Sequence, residues 1–422
     1  MISQLPSTYY KDHFTSTKKS LFDKEFNDTL SLDIFDILAS IVYSDFEKQR
    51  NEYLINKNTV HVSVNNISTL KKCISIFEEL ANFMTGEDWE IILSETSEKK
   101  RIYFEFDLYN SNINSVCLFS GGLDSLAGVC EEHKQGLKTI LVNYQTNSRE
   151  KNIARKTFDD YLSRNFELVQ LNRIKYTKNN HHTQRTRSLI FIACAFIYSR
   201  LFEVESIKIY ENGILSFNPN VANIRKTSKT THPKTLYLLN SIFRIVNINT
   251  KIINPFIFLT KGEIISRINE QILPNIKNTI TCSRNPGIKY HSDRKNKFHC
   301  GYCISCILRQ IGINSNQLNS IDSEYMTSLT DYIYPESKWI DEKNLKLEYT
   351  DNQLYRLNYK NSTIRYFRFL KESYKKRELF ELLNIRSRYF DEENYGELIN
   401  GLYYRFIKEF NNYMEVICGR KI

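Results

Sequence analysis

The chain has 422 residues, 41% apolar and 25% charged, with 13 glycines and 7 prolines. This is the composition of an ordinary globular protein and excludes a collagen-like, linker-rich or disordered chain. Its length is a prior for about three domains. No apolar run approaches the roughly 18 residues of a membrane span. The start, Met1-Ile2-Ser3-Gln4, shows no basic-then-apolar leader. A cytoplasmic protein with no membrane partner is expected. Nine cysteines in so long a chain argue against a disulfide scaffold. The net charge is +10. Residues 149–229 hold 15 Lys/Arg against 7 Asp/Glu. Such a surplus suits a nucleotide or nucleic acid, and equally a solvated surface in a lysine-rich composition.

Taken in chain order, residues 1–112 read as a small α/β accessory unit. Leu30–Phe46 has helical spacing, Thr59–Val64 alternates as a strand, and Leu70–Phe83 is a second helix. Trp89–Leu93 and Arg101–Phe106 read as strands. From residue 113 to 315 strands and helices alternate: strand Val116–Phe119, helix Leu123–Glu132, strand Thr139–Val142, helix Lys151–Ser163, strand Glu167–Leu171, helix Arg187–Arg200, strand Ser206–Tyr210. That order predicts an α/β fold with a central parallel sheet. Residues 316–422 show helical periodicity, as in Ile364–Tyr374 and Leu398–Tyr413.

Between the first strand and the first helix of the alternating region lies Ser120-Gly121-Gly122-Leu123-Asp124-Ser125. Two glycines let the backbone turn tightly and approach a ligand. The first N–H groups of a helix have no intrahelical partner and sit at its positive end. With the two serine hydroxyls this makes a cradle for phosphate or pyrophosphate. No Gly-Lys-Ser/Thr follows, so it is not a Walker loop, and the third glycine of a dinucleotide fingerprint is missing.

Cys282, Cys300, Cys303 and Cys306 form C-x17-C-x2-C-x2-C. Three thiols at this spacing close around one metal and a fourth arrives from upstream, as in a tetrahedral four-cysteine zinc site. An iron–sulfur cluster uses similar spacing, and His291 or His299 can stand in for a thiolate. A closed four-thiolate site has no open coordination position, so zinc here is expected to be structural.

The loop resembles the SGGxDS signature of the PP-loop ATP pyrophosphatases, which have the adenine-nucleotide α-hydrolase-like (HUP) fold. Followed by Cys300-Gly301-Tyr302-Cys303-Ile304-Ser305-Cys306-Ile307-Leu308-Arg309, it resembles the QueC-like, 7-cyano-7-deazaguanine synthase family. Asn254-Pro255-Phe256 with Thr260-Lys261-Gly262-Glu263, and Arg185–Phe191, are similar to further segments of that family. The resemblance covers about residues 113–315. It implies ATP with Mg²⁺, adenylation of a 7-deazaguanine carboxylate, and transfer to an amine with loss of AMP. It implies that Ser120, Asp124 and Ser125 serve catalysis, and that residues 120–125 with Asn143, Tyr144 and Arg187 hold the nucleotide. Lys261 and Arg309 are candidates to neutralise phosphates, or else ordinary salt-bridge residues.

The sequence departs from the stand-alone synthase in three places. Glu211-Asn212-Gly213 through Pro219 and Thr227 through Pro233 replace the family's substrate stretch. The segment between Cys282 and Cys300 is longer and carries Arg284, Lys289, Arg294, Lys295 and Lys297. About 110 residues are added at each end. These departures resemble the QueC-like proteins of bacterial antiphage operons, Qat systems among them, which implies an acceptor amine on a partner protein. Glu211 and His232 are then candidates for base recognition or acceptor deprotonation, with Asn212 a further candidate for contacting the substrate. The alternatives for Glu211 and His232 are a capping carboxylate and a satisfied turn histidine. Other readings remain open: a nitrile-forming synthase of queuosine-precursor synthesis, a tRNA-modifying PP-loop enzyme, or a nucleotide-binding scaffold without catalysis. A homodimer is compatible with all of them.

Overall fold

The computed structural model describes residues 22–47, 57–98, 100–106, 113–144, 154–156, 166–171, 185–217, 219, 229–282, 299–325 and 351–418. The lysine- and arginine-rich insert after Cys282, His291, most of the expected helix Lys151–Ser163, and much of the basic stretch 149–229 lie outside them.

The amino-terminal unit comprises β1 (Phe22–Phe26), α1 (Thr29–Glu47), β2 (Lys57–Val64), α2 (Ile74–Thr85), β3 (Asp88–Glu95) and β4 (Ile102–Phe106). Strands β2 and β3 pair in parallel, and β1 pairs antiparallel with β4. The expected helix over 70–83 is in fact interrupted. A 3-10 turn at Lys71–Cys73 precedes α2, which ends at Gly86 with φ +72°, a left-handed cap that glycine takes without strain. Helix α1 is buried on almost every face, since Leu32, Ile34, Phe35, Leu38, Ile41 and Val42 all lie in the core.

The central unit is a five-stranded parallel sheet with strand order β7-β6-β5-β8-β9. Its strands are β5 (Ser115–Leu118), β6 (Thr139–Tyr144), β7 (Phe166–Leu171), β8 (Ser206–Lys208) and β9 (Lys251–Ile253). Helices α3 (Leu123–Lys134), α4 (Arg187–Leu201) and α5 (Pro233–Ile245) connect or cover them. The chain steps outward from β5 through β6 to β7, then returns to the other side of β5 for β8 and β9. The crevice beyond the carboxyl ends of β5 and β8 is therefore the topological switch point, where α/β sheets bind ligands. Strand β8 is shorter than its five expected residues. The Ile209 N–H still bonds the Ile253 carbonyl at 2.9 Å, but the chain then leaves the sheet toward that crevice.

Four further helices bear on the site: α6 (Lys261–Ile265), α7 (Ile304–Ser315) and the pair α8 (Asp351–Lys375) and α9 (Tyr395–Cys418). Ile304, Ile307, Leu308 and Ile311 of α7 share an apolar cluster with Tyr366, Phe367 and Leu370 of α8 and Leu402, Phe406 and Phe410 of α9. Each large apolar side chain so buried contributes about 1.5–3 kcal/mol.

A second apolar cluster runs without interruption from Phe26–Phe104 into Val116–Ile252. Polar ties reinforce that junction. Thr186 Oγ1 donates to buried Asp45 at 2.7 Å, and Arg200 pairs with Asp28 at 3.1 Å. Among the described residues no helix is long and apolar enough to cross a membrane.

Candidate active site and metal centre

The Ser-Gly-Gly turn leaves β5 and enters α3 at the switch point. Gly121 has φ +73°, and a Cβ there would lie 2.9 Å from the Ala154 backbone. Gly122 is the extended residue before the helix, and a Cβ on it would press on the Ile280 carbonyl at 2.9 Å. Both positions therefore require glycine. Ser125 Oγ donates to the Gly122 carbonyl at 2.9 Å, the Gly122 N–H donates to Ser120 Oγ at 3.2 Å, and the two serine hydroxyls lie 3.2 Å apart. Ser120 is exposed, whereas Leu123 belongs to the core beneath the turn.

Asp124 is buried at the start of α3 and meets three residues from two distant parts of the chain. Lys261 Nζ, from the first residue of α6, donates to Oδ1 at 2.5 Å. Asn212 Nδ2 donates to Oδ2 at 3.1 Å and also reaches Glu211 Oε1 at 2.7 Å. Glu211 itself hydrogen-bonds Asp124. Burial alone would raise the Asp124 carboxyl, but the Lys261 ammonium and the bonds from Glu211 and Asn212 hold it below its ordinary value. Burial and the Asp124 charge push the Glu211 carboxyl well up, so Glu211 keeps its proton and gives it to Asp124 as a hydrogen bond.

Asn254 supports this pair from behind. Its Oδ1 accepts from the Glu211 N–H at 3.2 Å, and its Nδ2 donates to the Glu211 carbonyl at 2.9 Å and to Ser216 Oγ at 3.1 Å. Sequence reading assigned Asn254 no role of its own. Its place in the Asn-Pro-Phe segment was the available signal.

The nucleotide-side candidates lie at the end of β6. Asn143 Nδ2 donates to the Phe119 carbonyl at 2.7 Å and so fixes the strand end that launches the turn. The Tyr144 ring packs on Phe191 at 4.8 Å, and the half-buried Arg187 guanidinium lies over the same Phe191 ring at 5.5 Å.

Two candidates have other work. All five N–H groups of Arg309 are bonded: Nε and Nη2 to Asp322 at 2.9 and 2.7 Å, Nη2 to the Ile276 carbonyl at 2.7 Å, and Nη1 to Thr279 and Thr281 hydroxyls at 2.7 and 3.1 Å. The side chain is wholly buried. Of the two readings of Arg309, the geometry is that of the salt-bridge residue, with every donor engaged. It fixes the strap 276–281, whose Ile280 N–H bonds the Gly121 carbonyl at 3.3 Å.

His232 is likewise saturated. Its Nδ1 accepts from the Lys234 N–H at 3.1 Å as the N-cap of α5, which leaves Nε2 to donate to the Leu383 carbonyl at 3.1 Å. Burial lowers its pKa to about 4, so the ring is neutral. Of the two readings of His232, the geometry is that of the satisfied turn histidine. Phe83 of the amino-terminal unit packs on the same ring at 5.0 Å.

Cys282, Cys300, Cys303 and Cys306 are all buried, with their sulfurs within 4.8 Å of one another. Sγ distances of 4.0 Å (Cys282–Cys303) and 3.8 Å (Cys300–Cys306) match the roughly 3.8 Å edge of a tetrahedron with Zn–S near 2.3 Å. Burial pushes the Cys300 and Cys306 thiols up, so four thiolates share this space only around a cation. The residues fit a metal such as zinc, with no position open for a substrate. His299 is not a ligand in this arrangement. Its Nε2 accepts from the Thr281 N–H at 3.1 Å and its Nδ1 meets Ser323 Oγ at 2.7 Å.

Residues 114–317 match the family model of "Queuosine biosynthesis protein QueC". The 7-cyano-7-deazaguanine synthase of Campylobacter fetus subsp. fetus (strain 82-40) is 23% identical over 233 residues, which span 49% of this chain and 94% of that protein. Residues 114–317 are thus similar to the QueC family. The turn, Asp124, Lys261, Glu211 and the four cysteines all fall within the matched segment, whereas α1, α2, α8 and α9 lie outside it.

Proposed function

We propose that the protein adenylates the carboxylate of a 7-deazaguanine-type substrate with ATP and passes the acyl group to an amine. The observation that carries this reading is the Asp124–Lys261 pair seated on the Ser120–Ser125 turn at the switch point of a parallel sheet, within a QueC-like segment.

A carboxylate is a poor electrophile. Attack of its oxygen on the α-phosphorus of ATP forms an acyl-adenylate and expels pyrophosphate. Attack of the amine nitrogen on the acyl carbon then expels AMP, and the amine's proton leaves to a base. Charge grows on the β- and γ-phosphates in the first step, beside the turn's N–H groups and the serine hydroxyls, where fixed dipoles stabilise it most. Lys261 is held in reserve on Asp124, and an arriving phosphate offers its ammonium a second anionic partner. Mg²⁺ accompanies the nucleotide. Asn143, Tyr144 and Arg187 bound the adenosine side. Glu211 and Asn212 are the candidates for reading the base. Zinc in the four-cysteine site would supply a structural cross-link.

The finer reading, an acceptor amine on a partner protein within antiphage defence, rests on the segments that replace the synthase's substrate stretch and on the two added units. The nitrile-forming synthase is the second reading, favoured by the 94% coverage of the Campylobacter protein. The test is incubation with ATP and 7-carboxy-7-deazaguanine. AMP and pyrophosphate release dependent on the acid supports adenylation, and its absence from active, nucleotide-binding protein refutes it. Product mass with ammonia, against mass added to proteins encoded nearby, separates the two acceptors.

A further inference from the structure

Helix α9, outside the QueC-like segment, lies behind both loops that carry the site. Leu402 packs against Gly213, where a Cβ would meet its Cδ2 at 2.4 Å, directly after Glu211 and Asn212. Three residues on, Arg405 Nε pairs with Glu263 Oε1 at 2.7 Å and Nη2 donates to the Phe258 carbonyl at 2.8 Å. One turn further, Glu409 Oε1 accepts from Thr260 Oγ1 at 2.5 Å, while Oε2 is buried without a hydrogen-bond partner among the described residues. Gly262 has no room for a side chain, because a Cβ would lie 2.4 Å from Glu409 Oε1 and 2.3 Å from Ser315 Oγ. Thr260 and Gly262 flank Lys261, and α7 closes the remaining side, with Gly312 against the Lys261 backbone and Cγ.

We propose that Glu409 is a positioning residue for Lys261: the carboxylate of the carboxyl-terminal helix bonds Thr260 on one side of the lysine, packs tightly on Gly262 on the other, and so aims its ammonium at Asp124. This rests on the proposed role of Lys261 at the phosphates, and it makes the carboxyl-terminal unit part of the site rather than an appendage. Burial raises the Glu409 carboxyl to about 7 in spite of its hydrogen bond with Thr260. A surface carboxylate serving only solubility would not be so placed.

The test uses the full chain and needs no nucleotide. Wild type and variants are treated briefly with acetic anhydride, and acetylation of Lys261 is quantified by peptide mass spectrometry against Lys208, a half-buried lysine paired with Glu132. Glu409→Ala is expected to raise the Lys261 rate about tenfold relative to Lys208, the scale of losing a charge-assisted hydrogen bond. Glu409→Gln keeps an acceptor oxygen and is expected to restore protection. Glu409→Asp keeps the charge but withdraws it, and should raise the rate even if the alanine variant fails to fold. A Lys261 rate equal to wild type in folded Glu409→Ala or Glu409→Asp overturns the proposal. Because labelling is read without ATP, its result stands or falls separately from the adenylation reading.

Discussion

Lys261 and Arg309 are both buried cations facing an aspartate, and they do opposite things. Arg309 spends every N–H on neighbours within 276–322, so its charge is consumed in holding the strap under the turn. Among the described residues Lys261 Nζ has one hydrogen-bond partner, Asp124, at the start of the helix that leaves the Ser120–Ser125 turn. A buried cation is structural when its donors are saturated. It is available for an incoming anion when they are not. The same contrast separates His232, with both ring nitrogens engaged, from Glu211, whose proton is shared with Asp124.

The largest expected effect lies on the structural side of that divide. Removing the metal with a chelator, or Cys303→Ser, should abolish cooperative folding of the segment around α7. Structural zinc sites contribute about 10–16 kcal/mol of apparent binding energy. Elemental analysis of the native protein should give one zinc per chain, and a metal-free protein with an unchanged melting temperature would contradict the assignment. Next, Arg309→Met should lower stability by about 3–5 kcal/mol by stranding the buried Asp322 carboxylate, read by urea denaturation. Lys261→Gln should do the reverse. We expect nucleotide turnover to fall about 10²–10³-fold, as when one oxyanion-stabilising donor is lost, with a smaller change in the urea midpoint. Equal loss of stability in both variants would erase the distinction drawn here.

The smallest effect is a pH dependence. His232 has its pKa lowered by burial to about 4, below the 6.5 of an exposed ring. Its contribution to stability is therefore complete above pH 6.5 and lost as pH falls through about 4. The upper bound is about 3 kcal/mol. His232→Gln should flatten the stability profile between those pH values.

The Ser120–Ser125 turn and the cysteine quartet were legible because both are local. Glycine is required by a single φ or a single close approach, and three of four thiols lie within seven residues of one another. The long helices α1 and α9 were legible from their period, and α4 from its nearly unbroken apolar run. Strand β9 has three residues and no period to detect. Asn254 and Glu409 join the site only through packing across 43 and 149 residues, which no spacing in the chain can announce. Arg309 and His232 looked like site residues because their types are reactive. Only the count of donors and acceptors met in the fold shows them satisfied.

The most direct measurement of the central claim is exchange of labelled pyrophosphate into ATP. Wild-type protein supplied with 7-carboxy-7-deazaguanine should catalyse the exchange, and Asp124→Ala with Ser125→Ala, shown by circular dichroism to be folded, should not. Exchange that persists undiminished in that folded double variant would show that the turn does not hold the departing pyrophosphate.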